Sequence, residues 1–216
     1  MSAMERRDRD DAPMLPGVDR LPTIPTERLC LRWLGAGDVP ALAGIFGDPE
    51  VCRYWSHPAL PDLAAAGALH DQIVRHFDAR SLFQWGIAER DTDVVVGTCT
   101  LAALSSEHRR AEVGFALARR AWSRGYVAEV LPALLGFAFE TLGLHRLEAD
   151  VDPRNARSIR VLERLGFERE GYLRERYRVN GELQDTVWFG LLRRDWATRE
   201  ATAREAGRHD AATDRS

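Results

Sequence analysis

An α/β protein with one mixed sheet, its elements in the order βααβββαβαββ, is predicted by three observations. Strand-like and helix-like apolar patterns alternate from residue 28 to residue 192. Three strand patterns follow one another in the middle of that span, separated only by short polar turns, as in an antiparallel meander. Later strands are separated by helix patterns, which requires helices on the faces of the sheet.

Arg28 to Trp33 reads as the first strand, with Leu29, Leu31 and Trp33 on one face. Asp38 is placed to cap a short helix that carries Leu42, Ile45 and Phe46 and stops at Gly47. A second helix runs near Leu63 to Phe77, with Leu69, Ile73 and Phe77 on one stripe. The meander follows as Leu82 to Glu89, Val94 to Leu101 and Ala111 to Leu117. Asp91-Thr92-Asp93 and Ser105 to Arg110 make its turns. Val127 to Leu142 is a helix closed by Gly143, and Arg146 to Val151 is a strand. Asn155 to Leu165 is a helix closed by Gly166, with Ile159, Leu162 and Leu165 inward. Two last strands, near Phe167 to Arg174 and Val187 to Leu192, flank a turn at Asn180-Gly181.

This is one domain, expected over residues 23–194. Residues 1–22 are charged and then rich in proline, and read as a flexible arm. Residues 195–216 form a charged tail that extends a helix briefly and then frays. The core of roughly 170 residues is long enough to bury about 70% of its unfolded surface.

Composition narrows the function. With 45% hydrophobic and 29% charged residues the chain is neither disordered nor a stapled miniprotein. A net charge of -3 lacks the basic excess of a dedicated nucleic-acid binder. The richest apolar stretch, Leu131 to Phe139, is far short of a membrane span and contains Pro132 and Gly136. The first residues, MSAMERRDRDDAP, lack the apolar centre of a secretory signal. Cys30, Cys52 and Cys99 are odd in number and widely spaced, as in a reducing cytoplasm. His57, His70, His76, His108, His145 and His209 show no metal-ligand spacing, so no metal is expected. No serine lies in a G-x-S-x-G elbow.

The stretch Glu112 to Glu129 holds the chemistry: a strand, a short loop with Ser123, Arg124 and Gly125, then a helix start. The first turn of a helix presents unpaired N–H groups, and its dipole favours an anion. Arg124 adds a full charge and Gly125 allows close approach, so the loop suits a pyrophosphate. Taken alone, Gly125 reads more readily as a residue that only shapes a loop.

Trp122-Ser123-Arg124-Gly125-Tyr126-Val127-Ala128-Glu129 resembles the acetyl-CoA pyrophosphate loop of the GNAT N-acyltransferases. It is most similar to the branch that acetylates the N-termini of ribosomal proteins, with its W-G-x-G-Y-A-x-E loop. The likeness extends to Thr26-Glu27-Arg28-Leu29-Cys30-Leu31-Arg32, Glu112-Val113-Gly114-Phe115, Asp152-Pro153-Arg154-Asn155-Ala156-Arg157-Ser158 and Gly166-Phe167-Glu168-Arg169-Glu170-Gly171-Tyr172-Leu173-Arg174. Ser123 stands where Gly is usual, and Val127 where a small residue is usual. The backbone contact that Val127 would make is expected to survive.

The resemblance implies a GNAT-like fold with splayed central strands and acetyl-CoA as acetyl donor. Trp122, Ser123, Arg124, Gly125, Tyr126, Val127 and Ala128 would hold its pyrophosphate. The backbone of Phe115, Ala116 and Leu117 would pair with the pantetheine arm, and an N–H there would stabilise developing negative charge. Asn155 would hydrogen-bond the cofactor and Ser158 would protonate the departing thiolate. Asn is also a leading N-cap residue, and on local grounds cap and ligand weigh equally.

The base is weighed from amine chemistry. An α-amine with pKa near 8 costs about 1.4 kcal/mol to deprotonate at pH 7, a lysine about 4.6 kcal/mol. A strong base is therefore optional for an N-terminal acceptor. Glu112 is the candidate, and pairing with a nearby arginine is its equal alternative. Tyr177 and Asp185 are candidates for binding the acceptor amine, with Glu175 in the same hairpin. The helix face carrying Arg154, Arg157, Arg160 and Arg164 reads as solvated at its far end; Arg157 or Arg160 is open to a nucleotide phosphate.

The expected activity is direct acetyl transfer from acetyl-CoA to a primary amine. The acceptor is a protein N-terminus, or alternatively an aminoglycoside, polyamine or other small amine. A non-catalytic acyl-CoA-binding module is the reading from another class. A homodimer fits the resemblance, although no residue specifies one.

Overall fold

The computed structural model describes residues 14–202. Eight strands form one sheet: β1 (Ile24–Pro25), β2 (Leu29–Trp33), β3 (Phe83–Glu89), β4 (Val95–Ser105), β5 (Arg110–Leu117), β6 (Arg146–Val151), β7 (Glu168–Val179) and β8 (Glu182–Leu192). Their order across the sheet is β1-β2-β3-β4-β5-β6-β8-β7. All neighbours are antiparallel except β5 and β6. The helices are α1 (Val39–Phe46), α2 (Leu63–Asp78), α3 (Tyr126–Gly136) and α4 (Ala156–Leu165), and a further helix, α5, runs from 193 to the last described residue, 202.

Strand alternation sorts the side chains into two faces. Leu29, Leu31, Trp85, Ile87, Cys99, Leu101, Val113, Leu147, Ala149, Val187, Phe189 and Leu191 join one core with α3 and α4. On the other face α1 and part of α2 cover β2 to β5, giving a smaller core of Leu42, Ile45, Phe46, Ile73, Ala88 and Ala116. That second cover does not extend over β6 and β8. There the same face carries Glu148, Asp150, Gln184 and Thr186 alongside Trp188.

Several elements differ from the sequence expectation. Residues 14–22, expected in a flexible arm, pack on the core: Leu21 is 2% exposed, and Trp85 Nε1 donates to the Pro22 carbonyl at 2.9 Å. Arg80 also donates to the Val18 carbonyl. Asp38 stands at the N-cap position of α1, as expected, but its side chain makes no capping bond. It lies in a 3-10 turn (Ala36–Asp38) and its carboxylate takes a bidentate bond from Arg32 and the Gly35 N–H. The long third helix is α only to Gly136, with Pro132 inside it, and then makes a π turn over Phe137–Thr141. β7 and β8 reach all the way to the Asn180-Gly181 turn, longer than their apolar residues suggest. In the tail, Trp196 is buried against Phe139 with ring centroids 5.3 Å apart. No helix among the described residues is long and apolar enough to cross a membrane.

Candidate active site

The two parallel strands part. β5 and β6 pair at Arg110↔Arg146, Ala111↔Leu147 and Glu112↔Glu148, and nowhere further along. Beyond that point lies a cleft of about 150 Å³. Val113, Gly114 and Phe115 line one wall and Ala149, Asp150, Val151 and Asp152 the other, with Asn155, Ser158, Tyr177, Gln184, Asp185 and Thr186 around it. Tyr54 and Trp55, next to the 3-10 turn Cys52–Tyr54, close its outer side.

Which backbone groups face the cleft follows from the β4/β5 ladder. Ala118 N–H donates to Val96 C=O at 2.9 Å, so the hydrogen-bonded positions alternate as 118, 116 and 114. Phe115 and Leu117 therefore turn their N–H groups toward the gap, whereas Ala116 spends its backbone on Thr98. The Ala116 carbonyl accordingly crowds Gly97, where a Cβ would meet it at 2.5 Å. This corrects the expectation for Ala116. Leu117 is half committed as well, since Trp122 Nε1 donates to its carbonyl at 2.8 Å.

The loop before α3 has the form an anion needs. Gly125 is the N-cap with φ +78°, and no side chain caps the helix. The first intrahelical bond is Glu129 N–H to Gly125 C=O at 3.1 Å, so the N–H groups of Tyr126, Val127 and Ala128 precede it without a backbone partner among the described residues. Ser123 also sits at a left-handed φ of 61°, the conformation glycine adopts without cost. Ser123, Arg124 and Gly125 are exposed, and Arg157 lies over the Trp122 ring at 5.1 Å. The loop is anchored from behind. Glu129 accepts from Thr26 Oγ1 at 2.6 Å, Arg28 N–H at 2.8 Å and Arg28 Nε at 2.7 Å. Arg28 reaches on to the Arg124 carbonyl, and the Tyr126 hydroxyl donates to Glu89.

Asn155 caps α4: its Oδ1 accepts from the Ser158 N–H at 3.2 Å. This is the cap role, and the side-chain amide remains at the cleft wall. Ser158 is half-buried there, with no hydrogen bond to its Oγ among the described residues. Glu112 is half-buried beside the point where the strands part. Burial, then the nearby Asp150 and Glu148 carboxylates, push its pKa above the ordinary carboxylate value despite Arg110 and Arg176. The arginine-pairing alternative fits Glu148 better, since Glu148 takes Arg110 at 2.8 Å and Arg146 at 2.7 Å.

Tyr177 is brought to the site. Its hydroxyl donates to Asp150 at 2.6 Å, and burial together with that bond raises its pKa to about 12. Asp185 borders the cleft, but its carboxylate is taken by the Tyr172 hydroxyl at 2.5 Å and the Glu175 N–H at 2.8 Å. Strand alternation also puts it on the face opposite Gln184 and Thr186. The structure thus places Asp150, not Asp185, beside Tyr177 and Glu112. Asp150, Tyr54, Trp55, Gln184 and Thr186 had no signal in the sequence, because only the topology brings them together. Among the described residues no group of three metal-ligating side chains occurs.

A sheet parted between parallel strands, with an uncapped helix start beside it, is the arrangement of an acetyltransferase fold. The acetyltransferase (GNAT) domain family matches residues 28–168. The chain belongs to that family and is an N-acetyltransferase. It is 35% identical over 175 residues to the uncharacterized N-acetyltransferase p20 of Bacillus licheniformis, covering 81% of this chain and 98% of the relative. It is 28% identical over 117 residues to the ribosomal protein uS5-alanine N-acetyltransferase of Escherichia coli, covering 54% and 60%. The fold matches that of spermidine N-acetyltransferase from Vibrio cholerae, solved with CoA and spermine, at TM-score 0.71 and 22% identity over 79% of this chain and 98% of that one. The family uses acetyl-CoA as donor.

Proposed function

We propose that the protein transfers the acetyl group of acetyl-CoA directly to a primary amine in a ternary complex. The observation that carries this reading is the parting of β5 from β6 beyond Glu112 and Glu148, next to the uncapped start of α3. The residues present suit the donor. The free N–H groups at Tyr126, Val127 and Ala128 offer bonds to a pyrophosphate, with Ser123, Arg124, Gly125 and Trp122 shaping the loop. The N–H groups of Phe115 and Leu117 offer bonds to an amide-bearing arm. Acetyl-CoA supplies the acetyl group as an activated thioester.

The protein's own residues supply the proton chemistry. Glu112 receives the proton of the attacking amine, directly or through water, and its raised pKa brings it nearer the amine in basicity. Ser158 returns a proton to the leaving sulfur. Phe115 N–H is aligned to stabilise negative charge on the carbonyl oxygen. Asp150, held by Tyr177, adds a negative charge that favours an ammonium near Glu112. The acceptor is a protein N-terminus or a small amine; a sequence relative named for ribosomal protein uS5-alanine and a structural neighbour named for spermidine support keeping both.

The test is thermal unfolding with acetyl-CoA, using ATP as a phosphate control, followed by thiol release with a panel of amines. A donor at 100 times its Kd stabilises by about 2.7 kcal/mol, a shift of several degrees. A shift specific to acetyl-CoA with turnover supports the reading. A shift without turnover on any amine favours a binding module, and no shift at all overturns the donor.

A further inference from the structure

We propose that Gln184 and Thr186 form a hydrogen-bonding subsite for the acceptor. The subsite takes a neutral polar group, an amide or a hydroxyl, carried next to the reacting amine. The proposal rests on the acetyl-transfer reading above and names the acceptor class for that site.

Gln184 and Thr186 are two residues apart on β8, so their side chains share a face. Both line the cleft. Thr186 is 1% exposed and its Oγ1 has no hydrogen-bond partner among the described residues. Gln184 is 7% exposed, and its amide likewise has no partner among the described residues. Tyr177 stands opposite Gln184 across the β7/β8 ladder and carries its hydroxyl to Asp150. One side of the cleft therefore holds, in a row, an anion that suits an ammonium and two uncharged groups with bonds to give.

Buried polar groups without partners are rare in folded proteins, because losing water without replacement is unfavourable. The strand does not need these two for shape. Valine has the branching of threonine, and the neighbouring Val187 and Phe189 are the apolar residues a buried strand usually carries. The hydroxyl and the amide each both donate and accept. They match a neutral group that does the same, and neither competes with Asp150 for the ammonium. A plain alkyl amine or polyamine would leave both unpaired, and sites built to bond a polar group reject analogues that lack it. The amide can come from the first peptide bond of an N-terminus. The hydroxyl can come from an amino alcohol or amino sugar.

The test compares matched acceptors on the full chain with acetyl-CoA. Alaninamide is set against 3-methyl-2-butylamine, and alaninol against 2-butylamine, with rates expressed per concentration of neutral amine to remove their different basicities. The wild type should favour each polar acceptor by at least about tenfold in kcat/KM. Thr186→Val and Gln184→Met should each cut that ratio by about fivefold or more, and an undiminished melting shift with acetyl-CoA in both variants excludes misfolding. A winning amide identifies a peptide-like acceptor, and a winning hydroxyl an amino alcohol or sugar. Equal turnover of polar and alkyl amines by the wild type, or ratios unchanged in both variants, overturns the subsite alone. Absence of turnover with every amine overturns the acetyl-transfer reading and the subsite with it.

Discussion

Nε of Arg28 lies 2.7 Å from Oε2 of Glu129, tying the head of β2 to the first turn of α3 across 101 residues of sequence. The same carboxylate takes the Arg28 N–H and the Thr26 hydroxyl, so three bonds converge on one side chain. Its position in the first turn also suits the helix dipole.

Glu129→Gln should therefore loosen the loop from behind. Burial favours the neutral acid, yet the bonds from Thr26 and Arg28 hold the Glu129 pKa below its ordinary value. A carboxylate depressed in this way stabilises the fold above its unfolded pKa, and the benefit is lost as pH falls through the folded value. Arg28 is half exposed, so the expected loss at pH 7 is about 1 kcal/mol. Urea unfolding at pH 7 and pH 3 checks it: the difference from wild type should be present at pH 7 and largely gone at pH 3.

Ser123 and Gly125 both adopt positive φ, at 61° and 78°. Only one of them is a glycine. Ser123→Gly should raise stability by up to about 1 kcal/mol, the relief of a left-handed L-residue less the entropy glycine adds to the unfolded chain. Gly125→Ala should lower it by about 1–2 kcal/mol from backbone strain alone, since the nearest atom to an added Cβ is the Arg28 guanidinium at 3.6 Å. Thermal denaturation of the two variants should move in opposite directions.

Glu112→Gln should slow turnover by about a hundredfold or more while leaving acetyl-CoA binding intact. The raised pKa has a second consequence. A carboxyl group whose pKa is higher in the fold supports stability only at low pH, and that support is lost as pH rises through the folded value. The neutral amide escapes this loss, so the variant should be more stable than wild type at pH 7 and no more stable at pH 3. The acid limb of the wild-type kcat/KM profile should lie above the ordinary glutamate range and vanish in the variant.

Ser158→Ala should lower kcat by about a hundredfold with little change in KM for acetyl-CoA. The backbone N–H of residue 158 still bonds Asn155 in the variant, so the helix cap is preserved. Thiol-release kinetics read this out, and unchanged kcat would remove Ser158 from proton transfer.

The sheet and its helices were legible because the apolar periodicities of Leu29 to Trp33, Leu63 to Phe77 and Asn155 to Leu165 are strong and local. The hairpin of β7 and β8 was legible only in part. Arg174, Glu175, Arg176 and Arg178 are charged and exposed, and the strand is carried here by the pairing of Tyr177 with Gln184 and Arg178 with Leu183 rather than by an apolar pattern. Asp38 misled because a polar residue before an apolar helix looks like a cap, while the true partner, Arg32, lies on a different element. The loop before α3, proposed to hold a pyrophosphate, could be read from Trp122 to Glu129 since it is contiguous. The acceptor side could be read only in part. Glu112 and Tyr177 were candidates, but Asp150 and Thr186 lie on two further strands, and polar residues in strands read as solvent-facing until a topology buries them.

The parting of β5 and β6 gives the sheet an edge in its interior. An edge there leaves the Phe115 and Leu117 amides unlatched, although side chains on both sides of them are among the core residues. Their hydrogens should exchange with deuterated solvent far faster than those of Gly114 and Ala116, bonded to β4 one position away. A strand that is rigid on one margin and loose on the other can be stiffened by whatever spans the gap. Two blocks of sheet, β1 to β5 and β6 to β8, are joined by backbone pairing only from Arg110 to Glu112, and whatever spans the gap would extend that seam along the rest of β5.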